Sequence, residues 1–222
     1  MVKAVIFDLD GTLLNRDASV NLFIENQYKR LAHRLSHIPK EKYIQRFIEL
    51  DQRGYVWKDR VYQQLIKEFD LKSISCGELL QDYLYSFKDH CVPFPNLIEM
   101  LNGLKQSHFL LGVITNGKGQ FQMDNMIALT IDAYMDTILI SEREGVKKPD
   151  PEIFQRALAR LDVAPEDSVF IGDHPEKDVE AAKGAGMKTI WKRDQYWYGA
   201  EADYIIEDLG EIYGRIQQFH SY

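Results

Sequence analysis

Cysteine is scarce in this chain, which has only Cys76 and Cys91, and their separation fits no metal-ligand spacing. A chain of 222 residues can bury enough apolar surface to fold without a disulfide, so both read as reduced thiols of a cytoplasmic protein. Long apolar runs are missing as well. No stretch approaches the ~18 residues that a membrane-spanning helix needs. The first apolar run, Ala4 to Phe7, is broken by Asp8, short of the ~7–15 residues of a signal peptide. Positive charge is in deficit, with 27 Lys+Arg against 34 Asp+Glu and a net charge of −7. Sequence-independent nucleic-acid binding needs a basic surface, so no nucleic-acid partner and no membrane partner are expected. The histidines His33, His37, His90, His108 and His220 are scattered and form no metal-binding pair. Repeats, low-complexity tracts and long linkers are also missing. What remains, 45% hydrophobic and 27% charged residues, is the composition of a soluble globular protein.

The hydrophobic pattern changes character along the chain. Lys3 to Asp8 is a short run rich in β-branched and aromatic residues that ends in Asp-Leu-Asp-Gly, which predicts a buried strand stopping at a turn. From Ala18 to His90 the only glycines are Gly54 and Gly77 and the only proline is Pro39. Apolar residues there recur at helical spacing: Val20 to Leu35, Tyr43 to Leu50, Val61 to Phe69 and Leu79 to Phe87. This predicts four amphipathic helices. Beyond Pro93 and Pro95, helix and strand alternate. Helices are expected at Leu97–Gln106, Phe121–Leu129, Pro151–Leu161, Glu176–Ala185 and Leu209–Phe219, and strands at Phe109–Thr115, Asp136–Ser141, Ser168–Gly172, Lys188–Trp191 and Tyr204–Ile206. Near-continuous apolar strands alternating with helices predict a doubly wound, Rossmann-like parallel α/β sheet. The expected organisation is a discontinuous core domain, residues 1–15 and 92–222, with an inserted four-helix cap domain over residues 16–91. An insert after the first strand would hang over the carboxyl ends of the strands, where open α/β sheets bind ligands.

The polar residues that follow each strand therefore mark the candidate site. They are Asp8 and Asp10 after the first strand, Thr115 and Asn116 after the second, Lys147 and Lys148 after the third, and Asp173 with Asp178 after the fourth. Clustered carboxylates repel one another unless a cation joins them. An all-oxygen donor set without His or Cys favours Mg²⁺ over zinc. Thr115, Lys148 and backbone N–H groups at a helix start can hold phosphate oxygens. An aspartate facing phosphorus can act as nucleophile, and a second one two residues on can serve as general acid and base. The residues read as a phosphoryl-transfer site.

Four segments carry a family resemblance. Phe7-Asp8-Leu9-Asp10-Gly11-Thr12-Leu13, Ile114-Thr115-Asn116-Gly117, Lys148-Pro149-Asp150-Pro151 and Ile171-Gly172-Asp173 with Asp178 resemble, in order, the four signatures of the haloacid dehalogenase (HAD) superfamily. The resemblance implies an Mg²⁺-dependent phosphatase that acts on a small phosphomonoester through an aspartyl-phosphate. It implies Asp8 as nucleophile and Asp10 as general acid/base, with Thr115 and Lys148 completing the catalytic set. Leu9, Asp10, Thr115, Asn116 and Lys148 would bind the phosphoryl group, Asn116 through its backbone N–H. Asp8 and Asp173 would hold the metal by carboxylates and Asp10 by its backbone carbonyl, with Asp178 in support. The helical insert would be the family's cap, closing over a small phosphorylated metabolite, in a monomer or homodimer.

His174-Pro175 and Lys177 depart from the usual fourth signature, and His174 could touch the phosphate, touch the cap or serve as a turn residue. Lys148 is chosen over Lys147 because it abuts Pro149. The aromatic segment Trp191 to Tyr198 reads as core packing or a subunit contact. The alternatives are a phosphosugar mutase on the same scaffold, a 2-haloacid dehalogenase, against which Asp10 and Asp173 argue, and a phospho-aspartate signalling module, which would lack the insert. A dinucleotide-binding module is disfavoured because Gly117-Lys118-Gly119 lacks the third glycine and does not follow the first strand.

Overall fold

The computed structural model describes residues 1–219; His220 lies outside the described residues. The elements are β1 (Ala4–Phe7), α1 (Arg16–Arg30), α2 (Ala32–Leu35), α3 (Lys40–Asp51), α4 (Lys58–Glu68), α5 (Cys76–Ser86), α6 (Leu97–Gln106), β2 (Leu110–Thr115), α7 (Gly119–Ala128), β3 (Thr137–Ile140), α8 (Ser141–Glu144), α9 (Pro151–Leu161), β4 (Ser168–Gly172), α10 (Ala181–Gly184), β5 (Lys188–Lys192), β6 (Tyr204–Ile206) and α11 (Ile212–Gln218). Two compact units result. One joins residues 1–15 to the chain from Pro93 onward, and the other is Arg16–Val92. No helix among the described residues is long and apolar enough to cross a membrane.

The first unit is the doubly wound α/β fold. Its sheet has the order β3-β2-β1-β4-β5-β6, and every neighbouring pair is parallel. All four residues of β1 and all five of β4 are buried. Side chains alternate faces along a strand, so unbroken burial means that both faces are covered, as parallel sheets require. On one face Ile6, Ile114, Leu139 and Phe170 pack with Ile153, Phe154 and Ala157 of α9, and the rings of Phe154 and Phe170 meet edge to face at 5.2 Å. Asp150 caps α9 by accepting the Glu152 N–H at 3.0 Å, with Pro151 at the first helical position, where its missing N–H costs nothing. Strands leave β1 in opposite directions, β2 on one side and β4 on the other. The gap beyond their carboxyl ends is the crevice where such sheets place ligands.

Two helices depart from the expected pattern. Residues 176–185 do not form one α-helix: Pro175–Glu180 is a wider π-helical turn that passes into α10. The His174 carbonyl accepts from both the Asp178 and Val179 N–H groups, at 3.1 and 3.3 Å. Such turns are uncommon and gather at functional positions. The helix expected through Leu35 stops at Arg30, and Leu31, at φ −101° and ψ 14°, breaks it before α2.

The second unit is helical. Phe23 meets Tyr83 edge to face at 5.2 Å, and Phe47 packs with Tyr62 at 5.5 Å. The fully buried Gln27 accepts from the Tyr62 hydroxyl at 3.1 Å and donates to Asp82 at 2.8 Å, which satisfies polar groups that burial would otherwise penalise. Ser75 and Glu78 close a capping box at the start of α5, fixing its first turn. Asp51, at the end of α3, lies between the guanidinium of Arg16, at 2.8 Å, and the ammonium of Lys58. Gly54, at φ +89°, makes room for Arg16, because a Cβ there would stand 2.8 Å from its Nη2. Burial disfavours the Asp51 carboxylate, but Arg16 and Lys58 outweigh it and hold this carboxyl below the usual aspartate range.

Removing one member of a buried ion pair leaves the other charge in a poor solvent, so Asp51→Ala should destabilise the protein by about 3–5 kcal/mol, measured by urea denaturation at neutral pH. The pH dependence follows from the depressed value. Asp51's contribution is complete above the unfolded aspartate pKa of ~3.9 and disappears as pH falls from there through the lower folded value. In Asp51→Asn, unfolding midpoints followed from pH 6 to pH 2 should lose that part of the acid sensitivity.

Candidate active site

The residues that follow the strands meet at the carboxyl edge of the sheet. β1 and β4 run side by side, with Phe7 opposite Ile171, and the Asp8 N–H continues the ladder to the Ile171 carbonyl at 2.9 Å. The next residues of the two strands, Asp8 and Asp173, are both buried. After Asp8 the chain turns back on itself, and the Leu9 carbonyl accepts from the N–H groups of Thr12, Leu13 and Leu14 at 3.2, 3.0 and 2.9 Å. Gly11 has φ +93° in this loop, and a Cβ there would stand 2.5 Å from Asp173 Oδ2. Only glycine adopts that backbone at little cost and leaves the carboxylate its place.

Asp8, Asp173 and Asp178 each present a carboxylate oxygen, all within 4.8 Å of one another. Lys148, 3% exposed, donates to Asp8 Oδ1 and to Asp178 Oδ1, each at 2.6 Å. Lys147 is exposed. Asp178 Oδ2 accepts the His174 N–H at 3.0 Å, so the π-helical turn is what brings Asp178 under the cluster. The Trp191 indole N–H donates to the Asp173 carbonyl at 2.7 Å. Lys192, also buried, donates to the Gly11 carbonyl at 3.2 Å.

One ammonium, hydrogen-bonded to two of the three carboxylates, leaves the cluster short of positive charge. Burial, with Asp178 and Asp10 adding to it against Lys148, pushes the Asp8 carboxyl up to about 7. Burial and the charges of Asp178 and Asp8 hold Asp173 well above the carboxylate range. Lys148 is displaced upward, because Asp178 and Asp8 overcome the burial that opposes its charge. Protons are thus drawn to Asp8 and Asp173, as expected of oxygens arranged for a bound cation. The all-oxygen donors and the Gly11 cradle fit a hard divalent ion.

Thr115, at the end of β2, is 1% exposed. The Asn116 side chain forms a reciprocal pair with the backbone of Lys148. Its Nδ2 donates to the Lys148 carbonyl and its Oδ1 accepts the Lys148 N–H, both at 2.9 Å. The resemblance implies only a backbone role for Asn116; the structure adds this tether, which sets the loop that carries Lys148. The Asp10 carboxylate is not in the three-carboxylate group. Its Oδ2 accepts from Gln122 at 2.6 Å, a contact that helical periodicity does not reveal. His174 Nδ1 accepts the N–H groups of Glu176 and Lys177, both at 3.2 Å, and its ring lies 4.5 Å from Trp197. Of the readings open for His174, this geometry is the turn residue, which caps the π-helical segment.

A doubly wound sheet with an acid cluster and a buried lysine at its switch point defines a class of α/β proteins with a candidate phosphoryl-transfer site. Residues 5–192 match the haloacid dehalogenase-like hydrolases. The chain is similar to glyceraldehyde 3-phosphate phosphatase of Pyrococcus furiosus, 28% identical over 95% of this chain and 91% of that one. It is also similar to glyceraldehyde 3-phosphate phosphatase of Methanothermobacter thermautotrophicus, 31% identical over 96% and 98%. Among solved structures, a HAD phosphatase from Thermococcus onnurineus superposes with a TM-score of 0.68 and 28% identity, over 97% of this chain and 98% of that one. The chain belongs to the haloacid dehalogenase-like hydrolase family, and it is an enzyme of that hydrolase class.

Gly11→Ala should push the Asp173 carboxylate out of register. Calorimetric titration with Mg²⁺ should give an affinity about 10–100-fold weaker than that of the unmodified protein, the usual loss when a metal ligand's support is removed. The increase in thermal midpoint on adding Mg²⁺ should shrink in parallel.

Proposed function

We propose that the protein is an Mg²⁺-dependent phosphatase that hydrolyses a small phosphomonoester through an aspartyl-phosphate on Asp8. The observation that carries this reading is the placement of Asp8 beside Asp173 at the switch point, hydrogen-bonded to the buried Lys148. Asp8, Asp173 and the Asp10 carbonyl would hold the ion, with Asp178 fixing Lys148. When bound, Mg²⁺ offsets the negative charge of the carboxylates and of the phosphoryl oxygens.

Asp8 attacks phosphorus, and a new bond to its carboxylate oxygen forms as the ester P–O bond breaks. The departing oxygen takes the broken bond's electron pair and a proton from Asp10, leaving as an alcohol. Water then attacks the same phosphorus and gives its proton to the Asp10 carboxylate. The bond to Asp8 breaks and inorganic phosphate is released. Lys148, the Thr115 hydroxyl and the backbone N–H groups of Leu9, Asp10 and Asn116 hold phosphoryl oxygens whose charge grows in the transition state. Asp10 distinguishes this chemistry from dehalogenation, which needs no leaving-group acid.

The helical unit, inserted between the first and second signatures, is assigned the part of the cap that selects the leaving group. The names of the curated relatives make glyceraldehyde 3-phosphate the first substrate to test, ahead of a wider set of phosphorylated metabolites. The two free cysteines accord with work in the cytoplasm, and the net charge of −7 disfavours a nucleic-acid partner; the protein is read as a monomer or homodimer without a membrane partner.

Asp8→Asn should keep the wild-type circular dichroism spectrum and lower turnover by on the order of 10³-fold or more, as loss of a nucleophile does. EDTA should stop phosphate release by the unmodified enzyme and Mg²⁺ restore it. Substantial turnover by Asp8→Asn would remove Asp8 as nucleophile. Accumulation of an isomerised phosphosugar in place of free phosphate would favour the mutase.

A further inference from the structure

Gln122 lies near the start of α7 and is 2% exposed. Its Nε2 stands 2.6 Å from Asp10 Oδ2, 2.8 Å from Thr115 Oγ1 and 3.4 Å from the Asn116 carbonyl oxygen. An amide nitrogen carries two hydrogens, and the two shortest contacts account for both. The other end of the amide is fixed as well, because Gln122 Oε1 accepts from Asn125 Nδ2 at 3.1 Å and Asn125 is fully buried. Turning the amide over would set its oxygen against the Asp10 carboxylate and its NH₂ against that of Asn125. Gly117 gives the side chain its path, since a Cβ there would stand 2.8 Å from Gln122 Cγ and 3.0 Å from Nε2.

From this geometry we infer that Gln122 is a positioning residue for the acid–base step. This inference rests on the roles proposed above for Asp10 and Thr115. The Gln122 N–H occupies Asp10 Oδ2 as an acceptor, so the proton that Asp10 gives to the leaving oxygen, and later takes from water, is carried on Oδ1. The second N–H occupies a lone pair of the Thr115 hydroxyl. The hydroxyl hydrogen is then turned away from Gln122 and is available to a phosphoryl oxygen. One side chain thus sets the direction of two groups that come from different strands, and it touches no reacting atom itself. A carboxylate free to rotate would present its proton in the wrong direction for part of the time. That is a loss of orientation rather than of charge.

The test compares kcat/KM for glyceraldehyde 3-phosphate, whose alkoxide leaving group needs a proton, with p-nitrophenyl phosphate, whose leaving group does not. Gln122→Met keeps the volume and removes the donors. Loss of the donor to Thr115 should lower kcat/KM for both esters alike, by about threefold, and loss of the donor to Asp10 should lower it about 10–100-fold further for the alkyl ester alone, a fraction of what general acid catalysis supplies. Gln122→Glu keeps the oxygen that Asn125 reaches and should show the same selectivity, so a folding defect in one variant leaves the other to decide. Asp10→Asn is measured alongside. With Asp10 altered, adding Gln122→Met should cause no further selective loss. An equal loss on both esters in both Gln122 variants, while Asp10→Asn stays selective, overturns the role of Gln122 alone. An equal loss on both esters in Asp10→Asn overturns the acid assignment of Asp10 and the inference with it.

Discussion

The first unit depends at its functional edge on the Lys148 ammonium, buried between the carboxylates of Asp8 and Asp178. Burying such charges is costly and is tolerated only when each is paired and hydrogen-bonded. The surrounding structure meets that condition in separate pieces. The Asn116 side chain holds the backbone of Lys148 at both its N–H and its carbonyl. The π-helical turn delivers Asp178, whose second oxygen is taken by the His174 N–H. Gly11 leaves the space that Asp173 fills. The lysine still balances only part of the negative charge, and burial, with the neighbouring carboxylates adding to it, pushes the Asp8 and Asp173 carboxyls upward.

Much of this edge was legible in the sequence because strand ends are legible. The bounds of Pro151–Leu161 and Ser168–Gly172 follow from local chemistry: an Asp-Pro helix start, and an apolar run closed by glycine and aspartate. Parallel sheets align strand ends, so residues just after such runs had to gather at one edge. The number of strands also follows from the alternation of elements, and the sheet has six; their order does not, because the same alternation builds more than one doubly wound order. What could not be read were features set by hydrogen bonds across the chain. Residues 176–185 have a good helical sequence, yet two N–H groups converge on the His174 carbonyl and widen the first turn. The stop after Arg30 is equally hidden, because Leu31 is apolar and lies in register with the residues before it. Neither glutamine nor asparagine declares a partner by spacing, so the contacts of Gln122 and Asn116 emerge only when β2, α7 and the Lys148 loop are placed.

The helical unit uses the same device in another setting. Asp51 lies between Arg16 and Lys58, and Gln27 accepts the Tyr62 hydroxyl within an aromatic core. Here two cations face one buried carboxylate, and its pKa falls. At the sheet edge one lysine is hydrogen-bonded to two of three clustered carboxylates, and the carboxyls of Asp8 and Asp173 rise, chiefly through burial. The buried charge of the helical unit is balanced by the protein itself and calls for no ligand. The charge at the sheet edge is not, and that contrast supports the proposal that the sheet edge, unlike the ion pair of the helical unit, receives a cation and a phosphate.

The loop after β1 makes the last step of this argument. Asp8 and Asp10 are two residues apart, yet they are held by different partners: Asp8 is buried beside Lys148, and Asp10 is half-buried beside Gln122. A carboxyl in the nucleophile's place needs a neighbouring cation, which favours its ionised form against burial and steers it toward phosphorus. A carboxyl that must give and regain a proton needs a neutral donor, which directs it without removing its capacity to be protonated. A lysine in place of Gln122 would hold Asp10 as a permanent anion, and an apolar residue would leave it unaimed. A neutral amide at this position, locked by Asn125, meets both demands. Two like side chains in one short loop can therefore take unlike parts in the same reaction, because their environments differ.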